Sequence, residues 1–413
     1  MKINKKIVAA LSAVIMAAMS LSAQNSGSPY SRFGYGLLND NATSAQRQMG
    51  GVGYAMTGGR QVNVMNPASY ARIDSLTFIF DLGVDLSIRK SREGSVRDKR
   101  TGGGLDYMTM MFPVSKYIGM SAGLVPVSTV SYSFGNQITN GRNSHEGSGG
   151  INQLYLGLGA RLFKGFTIGT NVSYLFGNTL NDIYAYTSSG STSLFEQSIE
   201  VRDWGLQFGA QYAYELDTRN KLSVGVSFTP GKTLLGHAQV IKYDVTANET
   251  PDTLSRMPLR DNFSMPSTFG AGVNYELDNR MMLEADVTYQ PWSKAKFANM
   301  DDFSATKFND RIKFALGFQY KHRQRGNFFQ LISYRLGGFY NRDYMKVGDN
   351  SVREYGITCG LGLPTHSSKT VINLGFEYRH RQAHPDPLLK ENYFNITFGV
   401  NFSQLWFEKR KIR

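Results

Sequence analysis

The chain has a single cysteine, Cys359, in 413 residues, so no internal disulfide framework is possible. Histidine is also scarce. The six are His145, His237, His322, His366, His380 and His384. Only His380 and His384 lie four apart, at the start of a loop before Pro385 rather than on a helix, so they read as solvated residues and not as a metal pair. No histidine stands beside a glycine-flanked serine, and the Gly-x-Gly runs at Gly34, Gly157 and Gly360 lack the strand-turn-helix setting of a nucleotide site. Catalysis, a metal and a cofactor are therefore not expected. Acidic residues are fewer than basic ones, 32 against 45, for a net charge of +13. After Leu21 no apolar stretch approaches 18 residues, which excludes a transmembrane helix in the rest of the chain.

What is present begins with Lys2, Lys5 and Lys6, an apolar run from Ile7 to Leu21, and then Ser22-Ala23-Gln24. This is the layout of a secretory signal peptide, residues 1–23, cut near Ala23. A run of roughly 15 residues is short for a span that needs about 20. No cysteine follows Ala23, so a lipoprotein anchor is excluded. An exported chain without helical spans is periplasmic, secreted, or a β-barrel, the other backbone arrangement that satisfies its hydrogen bonds in lipid. The basic balance of an exported protein points to an anionic headgroup layer rather than to nucleic acid.

Period-two alternation favours the barrel. Phe394, Ile396, Phe398, Val400 and Phe402 alternate with Asn395, Thr397, Gly399, Asn401 and Ser403. The same pattern recurs in Ile312–Tyr320 against Arg311–Lys321, in Trp204–Tyr212 against Asp203–Gln211, and in Ile372–Tyr378 and Leu283–Tyr289. Alternate side chains of a strand face opposite ways. Segments of roughly 10 to 17 residues exceed the usual five or six and match a tilted bilayer-spanning strand. Strands are expected at 76–90, 103–115, 118–134, 151–163, 165–177, 199–216, 220–241, 266–277, 280–297, 308–322, 328–341, 352–363, 369–381 and 391–403. Links after even-numbered strands are short, as at Lys116-Tyr117, Lys164 and Asp278-Asn279; those after odd-numbered strands, such as 91–102, 135–150, 178–198 and 242–265, are long. Short periplasmic turns alternating with long outer loops suit an outer-membrane barrel. The fold expected is thus all-β: an antiparallel transmembrane β-barrel of about fourteen strands over 76–403, closed by a last strand ending at Phe402. Residues 404–413 form a basic periplasmic tail.

Residues 24–75 fit no strand, yet Phe33, Tyr35, Leu37, Met49, Val52 and Tyr54 are too apolar for disorder. A plug inside the lumen would bury them, and a barrel of this width needs filling or conducts water. Pro126 in the third strand cannot donate to the ladder, so it sits at a bulge, kink or edge.

The run Met49-Gly50-Gly51-Val52-Gly53-Tyr54-Ala55, then Asn63 and Asn66-Pro67-Ala68-Ser69-Tyr70-Ala71, resembles the plug of FadL-type long-chain fatty-acid transporters, with Ser69-Tyr70 replacing that family's Gly-Leu. Gly123-Leu124-Val125-Pro126 is similar to its Pro-bearing third strand. Met265-Pro266-Ser267-Thr268-Phe269, followed by Gly272, Tyr275, Leu283-Glu284-Ala285-Asp286 and Trp292-Ser293, is similar to its Leu-Pro-rich strand pair. Ser28–Gly34 and Trp406–Lys411 look like Bacteroidetes versions of the family.

The resemblance implies a plugged fourteen-stranded barrel that takes up hydrophobic small molecules passively and releases them sideways through a gap at the kinked third strand. Gly50, Gly51, Gly53, Asn66, Pro67 and Ala68 carry the plug motif and Pro126 the gap. By parity, Glu284, Asp286, Arg311, Lys313, Arg335, Glu377 and Arg379 project into the lumen, where they pair with one another and with the plug; the alternative is an anionic-headgroup site at Arg335 or Arg379. The partners implied are outer-membrane lipids, a hydrophobic small molecule, the outer membrane barrel-assembly machinery for insertion and, if the chain instead serves a secretion or assembly complex, other outer membrane proteins. Asp252-Thr253-Leu254 resembles a short Bacteroidetes O-glycosylation signal, and Cys359 is expected on the outer face.

Overall fold

The computed structural model describes residues 27–138, 141–187, 192–245, 252–253, 263–297, 307–323, 326–365 and 370–405. The expected signal peptide and the tail beyond Leu405 lie outside them. Fourteen long antiparallel strands close a barrel. They are β1 (Thr77–Glu93), β2 (Val96–Pro113), β3 (Ile118–Ile138), β4 (Gly141–Phe163), β5 (Phe166–Thr187), β6 (Thr192–Glu215) and β7 (Asn220–Thr229). There follow β8 (Thr268–Leu277), β9 (Met281–Gln290), β10 (Arg311–Lys321), β11 (Ser333–Val347), β12 (Asn350–Pro364), β13 (Val371–His384) and β14 (Lys390–Leu405). β14 pairs with β1, Phe402 opposite Phe80, which completes the wall. No helix among the described residues is long and apolar enough to cross a membrane.

The polarity of a water-soluble protein is inverted. Leu156, Val172, Trp204, Phe208, Val226, Phe314, Leu316 and Ile357 stand exposed on the outer face, while Asn171, Gln207, Gln211, Asn274, Asn373 and Asn401 are buried within. An outer surface this apolar would drive association in water. Cys359 is on the exposed side. The turn between β8 and β9 places Asp278 and Asn279 at φ +53, the left-handed region that these two residue types tolerate.

Several elements differ from the sequence expectation. The segments 91–102, 135–150 and 178–198 are largely strand. β1 and β2 pair up to Glu93–Val96, and β4, β5 and β6 run 23, 22 and 24 residues. Once neighbours hold the register, a polar, glycine-rich sequence continues the ladder, whatever its propensity. The strand expected over 220–241 breaks at Pro230, which has no N–H to donate. Lys232–Thr233 pair instead with Ser264–Met265, and Gly236–Val245 return to β6. The strand expected over 280–297 stops at Gln290, before Pro291 and a 3₁₀ turn at Trp292–Lys294. The start of the 328–341 strand is a helical turn, Phe328–Leu331, and β11 runs on to Val347. His380 and His384 belong to β13 rather than to a loop.

Candidate functional site

The chain preceding β1 meets inward-facing side chains on many strands. The Ser28 N–H donates to Ser131 O at 2.6 Å, Leu37 and Leu38 pair with Thr129 and Ser128 of β3, and the Asn39 N–H donates to Val127 O at 2.9 Å. This ladder adds a strand to an edge of β3 that β2 leaves free. β2 and β3 pair only from Met108↔Leu124 to Pro113↔Gly119. Pro126 lies just past that limit, and the β3–β4 register shifts between Pro126 and Ser128. The missing N–H thus coincides with a bulge.

A capping box at Thr43 and Gln46 starts the short helix Ser44–Arg47. Arg47 then reaches Asp106 of β2 at 2.6 Å. Gly50 and Gly51 follow with φ of +74 and +80, a turn L side chains rarely make. The Gly50 N–H donates to Thr358 Oγ1 at 2.8 Å. Next come contacts from the segment's backbone to the wall. Asp286 Oδ2 accepts from the N–H groups of Gly53 at 2.7 Å and Tyr54 at 3.0 Å, and Glu284 Oε1 accepts from that of Ala55 at 2.9 Å. These backbone donors are buried without other secondary structure to satisfy them, so the two carboxylates replace a ladder. Asn66 caps the 3₁₀ turn Pro67–Arg72 with its Oδ1 on the Ala68 N–H, and its Nδ2 donates to Tyr54 O at 2.7 Å and to Val226 O at 3.2 Å.

The remaining inward charges divide. Arg311 and Lys313 both pair with Asp40. Arg335 donates to Gln48 Oε1, Gln319 Oε1 and Asn373 Oδ1, all within 2.8 Å. Glu377 and Arg379 pair with each other at 2.6 Å, and Arg379 lies 3.7 Å from Glu354, which Arg381 also binds. Arg335 and Arg379 thus both have protein partners. Asp40, Arg47, Gln46 and Gln48 were not singled out by sequence reasoning. They lie in a segment without periodicity, and nothing local marks their partners. Asp203, which takes part in an ion pair with Lys232, was legible from the β6 alternation but not its role.

A cavity of about 180 Å³ lies between the N-terminal segment and β3–β10, lined by Leu38, Tyr54, Met65, Val127, Leu206 and Trp292 among others. Beside Pro126, where residues 40–43 face Tyr107 and Val125, only about 10 Å³ is left. No group of His, Cys, Asp and Glu among the described residues could hold a metal.

With this architecture in view, solved structures give a consistent comparison. The Pseudomonas putida toluene transporter TodX aligns with 16% identity over 90% of this chain and 100% of its own, at a TM-score of 0.63. A Pseudomonas aeruginosa FadL homologue aligns at 13% identity over 90% and 99%, TM-score 0.62. The Ralstonia pickettii toluene transporter TbuX aligns at 13% identity over 88% and 98%, TM-score 0.59. At these identities the likeness is one of fold. A comparison with curated proteins returned no match. The sequence model of the BamG family matches residues 3–413, nearly the whole length, and the chain therefore belongs to the BamG family.

Proposed function

We propose that the chain is an outer membrane channel for passive uptake of hydrophobic small molecules, long-chain fatty acids or compounds of similar character. Residues 24–75 act as its plug, behind a signal peptide at 1–23, and the lateral gap is at the third strand. The observation that carries this reading is the parting of β2 and β3 beyond Met108 and Leu124, with Leu37–Asn39 laid along the freed edge. A wall seam closed by a short two-residue ladder opens more readily than one closed by a full strand. The likeness in fold to proteins named as toluene transporters supports it. Glu284, Asp286, Arg311, Lys313 and Arg335 hold the plug through its backbone and through Asp40 and Gln48. Gly50 and Gly51 shape its turn, Gly53 supplies a donor to Asp286, and Asn66-Pro67-Ala68 seats it on β6 and β7. Glu377 and Arg379 brace the wall.

The test is a disulfide between Leu38→Cys and Ser128→Cys, which are register partners and so within bridging reach, with Cys359→Ser. Oxidation is expected to abolish most uptake of long-chain fatty acid or toluene by cells carrying the variant, and reduction to restore it. Deletion of the gene leaving uptake of every hydrophobic solute unchanged would sink the proposal. A second reading, that the barrel is a subunit of an outer membrane secretion or assembly complex, is favoured by membership of the BamG family. Its mark would be stoichiometric co-purification with another outer membrane complex and unaltered solute uptake.

A further inference from the structure

The wall has another break, three to four strands along from Pro126. β6 and β7 pair from Glu215↔Lys221 up to Phe208↔Phe228, and β6 is paired again only from Val201↔Gly236 onward. Between these points residues 202–207 have no ladder partner in the strip Thr229–Leu235. On its other side the strip is loosely held too. Its ladder to the strand ahead of β8 lapses around Pro230 and Pro266, and the Gly231 N–H donates to a side chain, Ser267 Oγ, at 2.9 Å. Two prolines at one level remove two donors from a closed wall.

Side chains span the seam instead. Lys232 Nζ contacts Asp203 Oδ1 and donates to Trp204 O at 2.7 Å, and it lies 4.2 Å from the Trp204 ring centroid. Asp203 Oδ2 accepts from the Leu235 N–H at 2.9 Å. The Asp203 side chain is fully buried, while that of Lys232 is 23% exposed. The seam therefore has one charged latch.

Open space lies on both sides of it. Inside is the cavity of about 180 Å³, whose lining includes Leu206, Gln207, Thr229, Pro230 and Lys232. Outside is a groove of about 600 Å³ formed by Phe208, Val226, Phe228, Phe269, Val287 and Tyr289. Ser227 borders both. By size the inner space has room for a single-ring solute, since a cavity of roughly 150 Å³ accepts a molecule the size of benzene; polar groups, among them Gln207 and Lys232, line part of it.

We infer that the Thr229–Leu235 strip is a second lateral door, latched by Lys232 on Asp203, through which a compact apolar solute passes between the inner cavity and the groove on the outer face. The inference rests on the transport reading but places the exit at the β6–β7 seam rather than at the β2–β3 seam. In the closed state the strip lines the larger cavity directly through Thr229, Pro230 and Lys232; that cavity also reaches Val127, but beside Pro126 itself only the space of about 10 Å³ is left.

The test uses Trp292, which is 2% exposed and lines the cavity. Changing Trp204 and Trp406 to Phe leaves it the only tryptophan of three. The full mature chain in proteoliposomes, with Cys359→Ser, is exposed to bromobenzene dissolved in the bilayer, and quenching of Trp292 is followed. Lys232→Ala is expected to speed quenching several-fold. Asp203→Cys with Lys232→Cys should quench fast until a short bis-maleimide joins the two thiols, and then only slowly. The Leu38–Ser128 disulfide should leave quenching unchanged. Heat-modifiable migration on gels confirms that each variant is a folded barrel. Quenching that persists through the 203–232 cross-link, or that the 38–128 disulfide abolishes, overturns the second door and leaves the transport reading standing. Absence of quenching in every form overturns both.

Discussion

Valine at both Gly225 and Gly337 is expected to expel residues 27–75 from the lumen while the barrel itself still closes. A Cβ at Gly225 would collide with Tyr54 O and one at Gly337 with the Met49 carbonyl carbon and Gly50 N. Both obstacles are backbone, so no flexible side chain can swing aside. Overpacking costs about 1–3 kcal/mol per site. Two sites on distant strands, β7 and β11, should add, and valine carries two further methyls. The measurement is tryptic cleavage after Arg47, Arg60 or Arg72 in folded, heat-modifiable protein. These sites should pass from resistant to readily cut. Gly58→Val is the control, since a Cβ there meets nothing within 4 Å. Undiminished protection in the Gly225/Gly337 pair would remove the close-packed contact between wall and segment from the account.

The second large effect is expected from Asp40→Ala. Arg311 and Lys313 have side-chain exposures of 6% and 7% and share this one carboxylate. Its loss leaves two buried cations facing each other, and breaking a buried pair costs about 3–5 kcal/mol. Asp40 is 29% exposed, which places the cost toward the lower end. Hydrogen exchange of residues 37–43 should rise accordingly. Adding Arg311→Met and Lys313→Met should recover most of the protection, because removing the whole triad removes the uncompensated charge as well. No recovery would mean that Asp40 acts through something other than charge.

The same residue sets a pH expectation. Burial pushes the Asp40 carboxyl up, but the charges of Lys313 and Arg311 and their hydrogen bonds outweigh it and hold it well below the usual carboxylate range. A depressed value means that the stabilisation is complete above the unfolded carboxylate value of about 3.9. It is lost only as pH falls through the lower folded value. Protection of residues 37–43 should therefore be flat between about pH 5 and pH 8.

Particular residues show what was legible in the sequence. The alternation of Arg311, Lys313, Ala315 and Gly317 with Ile312, Phe314, Leu316 and Phe318 states which side chains face in, and β10 follows it residue by residue. Pro126 announces a ladder fault, and the fault is there. By contrast, 91–102 and 135–150 carry the glycines and charges of loops and yet form hairpins. Pairing energy comes from the neighbouring strand, not from the segment itself. The 220–241 stretch alternates well enough to read as one strand, but Pro230 and Gly231 divide it.

The amino-acid sequence by itself determined the barrel, its fourteen strands and the inward parity of its charged residues. All three are consequences of a two-residue period in the chain, repeated over segments long enough to count. Only the tertiary structure decided that Asp286 meets the backbone of Gly53 and Tyr54, that Asp40 joins Arg311 and Lys313, and that the β2–β3 ladder ends at Met108 and Leu124 and the β6–β7 ladder at Phe208 and Phe228. Those contacts join residues more than two hundred positions apart or depend on the register of two strands at once. They follow from the closure and stagger of the whole barrel, which no local pattern encodes.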